Sequence, residues 1–192
     1  MRETKTLPID RFVEYILYNN QEGYYSTKNP FGKSGDFITA PGISFLFSEM
    51  IAIWTISFWE SLGKPKRFNI VELGPGDGKL CNILIRTFKK FPSFYKSVNI
   101  FLYEKSKFLK NIQKNIINEK NIHWIDNFKK IKKGPILFFG NEFFDSIPIK
   151  QFEKKNDKVY EKYLEIKNNF PTKTVLRKAS NKIIRELKKY KL

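Results

Sequence analysis

The chain of 192 residues holds a single cysteine, Cys81, and a single histidine, His123. One cysteine excludes an intrachain disulfide and any multi-cysteine metal cluster, which makes a reducing compartment the default. One histidine excludes a His-His metal site, and a Ser-His-Asp triad would depend on a residue inside an expected strand, so His123 reads as structural. No metal site is expected. No apolar run reaches membrane-spanning length; the longest, around Met50 to Phe58, is broken by polar residues. The opening MRETKTLPIDRF lacks the apolar stretch of a signal peptide. These absences read as a soluble, cytoplasmic protein with no membrane span.

Acidic residues are also few, 19 against 36 lysines and arginines, for a formal net charge of +17. Such a balance raises nucleic acid as a partner, because clustered cations gain by releasing counterions from phosphates. The lysines are spread through every segment, however, and no stacking-aromatic pattern of an RNA module accompanies them. No specific nucleic-acid partner is expected. A hydrophobic fraction of 41% and an aromatic fraction of 16% argue against disorder, and the length suits one domain with an appended tail.

What is present centres on VELGPGDGKL, Val71 to Leu80. The run Phe68 to Leu73 has the short, β-branched character of a buried strand, and Gly74, Gly76 and Gly78 let the backbone turn sharply, with helix resuming near Lys79. A phosphate-binding P-loop needs a Lys-Ser/Thr pair after its last glycine, but Leu80 follows Lys79. The dinucleotide form G-x-G-x-x-G fits no better, since the glycines fall as G-x-G-x-G with Glu72 just before them. A bound nucleotide-type cofactor and a tight strand-to-helix turn both remain open at this point.

Around the turn the chain alternates strands and helices. Val98 to Glu104 makes a second strand, Ser106 to Asn118 a helix, Ile122 to Ile125 a third strand, Phe128 to Lys132 a brief helix or turn, and Ile136 to Phe139 a fourth strand. This pattern predicts a doubly wound α/β fold with a mostly parallel sheet and ligands at the carboxyl ends of its strands. Upstream, Pro8-Ile9-Asp10 opens a helix with Asp10 as its cap, and Ile43 to Leu62 predicts an apolar helix burying Phe47, Met50, Ile51, Trp54 and Phe58. Between them, Gly23 to Gly42 mixes turn formers with Tyr24, Tyr25, Phe31 and Phe37, as in a binding loop or lid rather than a linker. Beyond Pro148 a hairpin is expected with Lys155-Asn156-Asp157 at its turn, then a basic helix from Lys173. The expected organisation is residues 1–64 as N-terminal helices and flap, 65–152 as the Rossmann-like core, and 153–192 as hairpin and basic tail.

Glu104 ends the second strand, where an acidic side chain in such folds lies beside the ribose of a nucleotide held over the first turn. Asp126, after the third strand, is placed to approach an adenine amino group. Asn141-Glu142-Phe143-Phe144-Asp145 follows the fourth strand at the expected reactive edge, two carboxylates and a carboxamide among bulky apolar groups, suited to a guanidinium or amine. Glu142 is the first choice for orienting an acceptor, with Asp145 second and Asn141 beside them.

Three blocks in order, Asn29 to Met50 (NPFGKSGDFITAPGISFLFSEM), Val71 to Leu80 and Asn141 to Phe152 (NEFFDSIPIKQF), resemble the MidA family of class I S-adenosylmethionine-dependent methyltransferases. That family includes a mitochondrial complex I assembly factor acting on an arginine of a complex I subunit. The resemblance implies a Rossmann-like methyltransferase sheet with helices on both faces, S-adenosyl-L-methionine as cofactor, and a protein-arginine substrate. It also implies that Gly35, Asp36, Phe37 and Thr39 fold over the cofactor, that Gly74 and Gly76 pass beneath its methionine part, with Glu72, Pro75 and Gly78 of the same turn among the cofactor-binding residues, and that Glu104 holds its ribose. The match spans Pro8 to Phe152. Family members run to roughly twice this length, so the C-terminal strands are expected to be missing and one sheet edge open. A non-catalytic binding or assembly protein is the alternative reading.

Overall fold

The computed structural model describes residues 4–32 and 35–190; Lys33 and Ser34 of the expected flap lie outside them. In chain order the elements are β1 (Thr4–Pro8), α1 (Ile9–Tyr18), α2 (Tyr24–Thr27), α3 (Ala40–Ile43), α4 (Phe45–Ser61), β2 (Phe68–Leu73), α5 (Lys79–Phe88), α6 (Pro92–Ser97), β3 (Val98–Tyr103), α7 (Lys107–Ile116), β4 (Ile122–Ile125), β5 (Ile136–Phe139), β6 (Phe152–Lys155), β7 (Lys158–Lys167), β8 (Phe170–Lys178) and α8 (Asn181–Lys189). Single 3-10 turns stand at Phe128–Lys130 and Phe144–Ser146. Contacts divide the chain into one unit of residues 1–19 and 146–192 and another of 20–145. This differs from the three consecutive segments expected, because the first strand pairs with a strand near the other end of the chain.

In the unit of residues 20–145 four parallel strands run in the order β4-β3-β2-β5. β2 is buried along almost its whole length, as a continuous apolar run in the middle of a parallel sheet must be. One face carries the main core: Phe68, Ile70, Ile100 and Leu102 of the strands pack with Leu80, Leu84 and Phe88 of α5 and with Ala52, Ile56 and Trp59 of α4. Phe94 anchors it, its ring 4.8 Å from Phe88 and 5.3 Å from Trp59.

The second face corrects the expectation of helices on both sides. Its cluster, Val71, Phe101 and Ile125 with Leu73, Tyr103 and Ile131, contains no α-helical residue. Phe128 of the β4–β5 crossover lies against Tyr103 and Phe138 there. β5 is an edge strand among the described residues, and Ile136 and Phe138 are 42% and 47% exposed. The His123 ring lies tilted against Phe101 at 5.2 Å, with its pKa lowered by burial and by Lys132 nearby. Cys81 is buried in the core, which raises its thiol pKa well above the ordinary value.

α4 also departs from expectation. Ser44 caps it, accepting from the Leu46 amide at 3.1 Å, and the buried side is Ser48, Ala52, Thr55, Ile56 and Trp59. Phe47, Met50 and Trp54, expected inside, are exposed, while Ile51 and Phe58 are partly buried against the core. The helix is apolar around most of its circumference, so periodicity does not select a face, and small residues allow the close approach to α5.

The unit of residues 1–19 and 146–192 is an antiparallel sheet in which β7 pairs with β1, β6 and β8. The β6–β7 hairpin turns at Asn156 and Asp157, both left-handed, where the sequence placed it. A second left-handed pair, Asn168-Asn169, makes β8 out of the residues expected to begin a basic helix, and the helix α8 starts only at Asn181. Asp10 lies in the first turn of α1 rather than at its cap, which is Pro8. Its carboxylate and that of buried Glu161 share Lys150, at 3.3 Å and 2.5 Å. Lys150→Met is expected to cost about 1 kcal/mol in urea unfolding, a figure kept small because the lysine is part-exposed although it would leave Glu161 uncompensated.

Candidate cofactor site

β2 and β5 are the neighbours at which strand order reverses, and their carboxyl ends meet there. After Leu73 the chain turns through Gly74 (φ 62°) and Gly76 (φ 57°), left-handed conformations that glycine adopts at little cost. The turn is fixed by Gly74 N–H donating to Tyr103 O at 3.0 Å and Gly78 N–H donating to Pro75 O at 2.8 Å. Gly78 then opens α5. A Cβ on Gly74 would stand 2.6 Å from the Phe143 ring, and one on Gly76 would stand 3.0 Å from the Phe31 ring. The edge after β5 and the aromatic segment before α4 therefore both lie on the glycine turn.

Glu72 is 2% exposed, and its Oε2 has no hydrogen-bond partner among the described residues. Burial, reinforced by the negative charges of Asp77 and Glu104, raises its pKa to about 8. Asp77 is held by Lys79 at 2.6 Å. Glu104, just past β3, is buried and accepts from the Ser106 amide at 2.8 Å and from the Gln113 side chain at 3.2 Å. Burial raises its pKa while these bonds and Lys110 oppose the rise. A buried acidic wall of this kind favours a ligand that brings positive charge and hydroxyl donors.

The described residues between Gly23 and Thr39 are tied to α7 at one point and to one another at two. Ser106, the cap of α7, donates from Oγ to Tyr25 O at 2.5 Å; Tyr25 stacks on Phe31 at 6.3 Å; and Phe31 and Phe37 form a bridge closed by Phe37 N–H to Pro30 O at 2.9 Å. Asp36 is exposed and turned to Tyr24 and Lys28, at 2.5 Å and 2.6 Å, which lowers its pKa. Tyr24 is raised to about 12, by desolvation first and then by Asp36. Phe37 is also exposed, and Thr39 accepts the Gly42 and Ile43 amides of the short helix α3 through its carbonyl. Gly35 fits because its Cβ would stand 2.3 Å from Pro30 O. Within this segment Phe31 meets the glycine turn at Gly76.

Asp126 follows β4 but is exposed and paired with Lys130 at 2.6 Å. Asn141 is half-buried, Glu142 and Asp145 are exposed, and Glu142 has φ 55°, a strained position for a residue with a side chain. Tyr25 and Phe31 were expected only as aromatics of a binding loop, and Ser106 and Gln113 were not singled out in the sequence at all. Gln113 left a signal: it lies four residues after Leu109 on the apolar stripe of α7, where a polar residue needs partners.

The family model for S-adenosyl-L-methionine-dependent methyltransferases, Methyltransf_28, matches residues 50–191. The chain belongs to this family. The methyltransferase match begins at Met50 and so covers the glycine turn, Glu104 and the NEFFD edge but not the flap. Among curated proteins, the mitochondrial protein arginine methyltransferase NDUFAF7 of Xenopus laevis is 30% identical over 197 residues, covering 90% of this chain and 45% of the relative. Its Homo sapiens counterpart is 32% identical over 178 residues, covering 80% and 40%. The chain spans about half the length of the curated relatives it matches. Among solved structures, a COG1565 superfamily member of Burkholderia thailandensis bound to S-adenosyl-homocysteine superposes with a TM-score of 0.73 at 23% identity, covering 95% of this chain and 49% of that one. At that identity the likeness concerns the fold of this methyltransferase family member.

Proposed function

We propose that the chain binds S-adenosyl-L-methionine over the Gly74–Gly78 turn and takes part in methylating a protein arginine side chain. The observation that carries this reading is Glu72, a buried carboxylate with an unpartnered oxygen beside a glycine turn that has no room for side chains. These residues fit the cofactor. Glu72 balances its positive charge, Gly74, Pro75, Gly76 and Gly78 give its methionine part an approach to backbone, and Glu104 accepts from its ribose hydroxyls. When bound, the cofactor supplies a methyl group already activated on a sulfonium.

The chain's own residues then position the acceptor. Phe31 and Phe143 exclude water from the turn, and Glu142, with Asp145 and Asn141 beside it, orients a guanidinium. The flap residues Gly35, Asp36, Phe37 and Thr39 close the site from the other side, and Asp126 lies toward the adenine. The names of the relatives support an arginine of a protein as acceptor, and a respiratory complex I-type subunit is the proposed class of substrate.

Titration calorimetry with S-adenosylhomocysteine tests the cofactor reading, which lapses if no heat develops at high micromolar concentration. Transfer of label from S-adenosylmethionine to lysate protein tests turnover. Glu142→Ala is expected to lower that transfer about a hundredfold while leaving S-adenosylhomocysteine affinity within roughly threefold. Equal loss of both would place Glu142 on the cofactor instead. A second reading, a cofactor-binding assembly protein without turnover, is favoured by the exposed residues Ile136 and Phe138 on the second sheet face; binding without label transfer would select it.

A further inference from the structure

Gln113 is fully buried, and its amide is committed on both sides. The amide nitrogen donates to Gly76 O at 2.8 Å and to Glu104 Oε2 at 3.2 Å, while the amide oxygen accepts from Trp124 Nε1 at 2.9 Å. This orientation is forced, because an indole only donates and a backbone carbonyl only accepts. Trp124 on β4 therefore turns the nitrogen toward the glycine turn and the carboxylate together.

From this geometry we propose that Gln113 is a positioning residue that holds the glycine turn and Glu104 in register and aims the Glu104 carboxylate at the cofactor ribose. The proposal rests on the cofactor reading above and adds a residue to it. One amide spans the two walls of the site: it fixes the backbone at Gly76, and it restrains one carboxylate oxygen of Glu104 while the Ser106 amide restrains the other. A carboxylate held at both oxygens keeps its remaining lone pairs in a fixed direction, which is what recognition of two vicinal hydroxyls needs. The helix that carries Gln113 is pinned independently. Ser106 caps it through the Leu109 amide, and Gln113 Cγ and the side chains of Ile116 and Ile117 pack within 3.3 Å of where a Gly78 Cβ would be. Rotation of α7 would thus move turn and carboxylate together.

A residue that only fills the core would alter stability, whereas one that aims Glu104 alters selectivity for the ribose. The test is calorimetric titration of the full chain with S-adenosylhomocysteine and with its 2′-deoxyribose analogue. In Gln113→Met the affinity for the ribose form is expected to fall about tenfold and that for the deoxy form by clearly less, so the preference between them shrinks. With Glu104→Gln already in place, Gln113→Met should change the preference no further, since the two act through one contact. Proportionate loss of both ligands in a folded Gln113→Met protein would overturn the proposal alone. If that variant does not fold by circular dichroism, Trp124→Phe decides: releasing the amide oxygen should reduce the ribose preference roughly threefold, and an unchanged preference overturns the proposal. No binding of S-adenosylhomocysteine by the unaltered chain would overturn the cofactor reading and this proposal with it.

Discussion

Glu72→Gln is expected to stabilise the ligand-free protein above pH 7 by about 1–3 kcal/mol while weakening S-adenosylmethionine binding at least about tenfold. The two effects share one cause. Glu72 is buried with an unpartnered oxygen and faces the negative charges of Asp77 and Glu104, so its ionised form is disfavoured and its pKa stands at about 8 against an ordinary 4.5. Between those two values the folded chain retains a proton that the unfolded chain has released. Folding therefore takes up a proton, and this group's contribution is fully present below about pH 4.5 and lost as pH rises through about 8. A cationic ligand reverses the balance by favouring the carboxylate, and binding at neutral pH should release a proton. Thermal unfolding between pH 5 and 9 should show a downward slope in the parent that flattens in Glu72→Gln. Calorimetry in phosphate and in Tris should give different apparent heats for the parent and equal heats for the variant. Identical slopes in the two proteins would remove Glu72 from the titration and from the ligand.

The parts of the fold legible in the sequence are those decided locally. β2, β4 and β5 fall where short apolar runs are bounded by Gly, Pro or polar residues, and Glu72, Glu104 and the NEFFD edge follow from strand ends alone. α4 was legible as a helix but not in orientation, because Phe47, Met50 and Trp54 are as apolar as the residues it buries and the choice fell to the small side chains of Ser48, Ala52 and Thr55. β8 was hidden by a turn of two asparagines in place of the more familiar Asn-Gly, and its lysines suggested a solvated helix. The pairing of β1 with β7 joins residues from opposite ends of the chain, which no local pattern encodes. At the site the same division holds. Gln113, Ser106 and Tyr25 matter through bonds to residues distant in sequence, and the φ of 55° at Glu142 arises from the turn after β5 rather than from its own preference.

The flap offers a case in which binding and stability should separate. Gly35→Ala is expected to weaken S-adenosylhomocysteine binding about tenfold or more with a melting temperature within roughly 3 °C of the parent. A Cβ at Gly35 would stand 2.3 Å from Pro30 O, 2.4 Å from Pro30 C and 2.8 Å from Phe31 N, and backbone atoms cannot swing aside as a side chain would. The turn between Pro30 and Phe37 must open, breaking the Phe37 N–H bond to Pro30 O and withdrawing the Phe31 ring from Gly76. The core that sets the melting temperature contains no residue of this segment, so its packing is untouched. Gly63→Ala supplies the opposite pattern. Gly63 has φ 79° with no atom within 4 Å of its would-be Cβ, so alanine there strains the end of α4 by about 1 kcal/mol and leaves the turn at Gly76 alone. Loss of stability without loss of affinity in Gly63→Ala, beside loss of affinity without loss of stability in Gly35→Ala, would assign the flap to the ligand rather than to the fold; unchanged affinity in Gly35→Ala would leave Phe31 as packing on the glycine turn and nothing more.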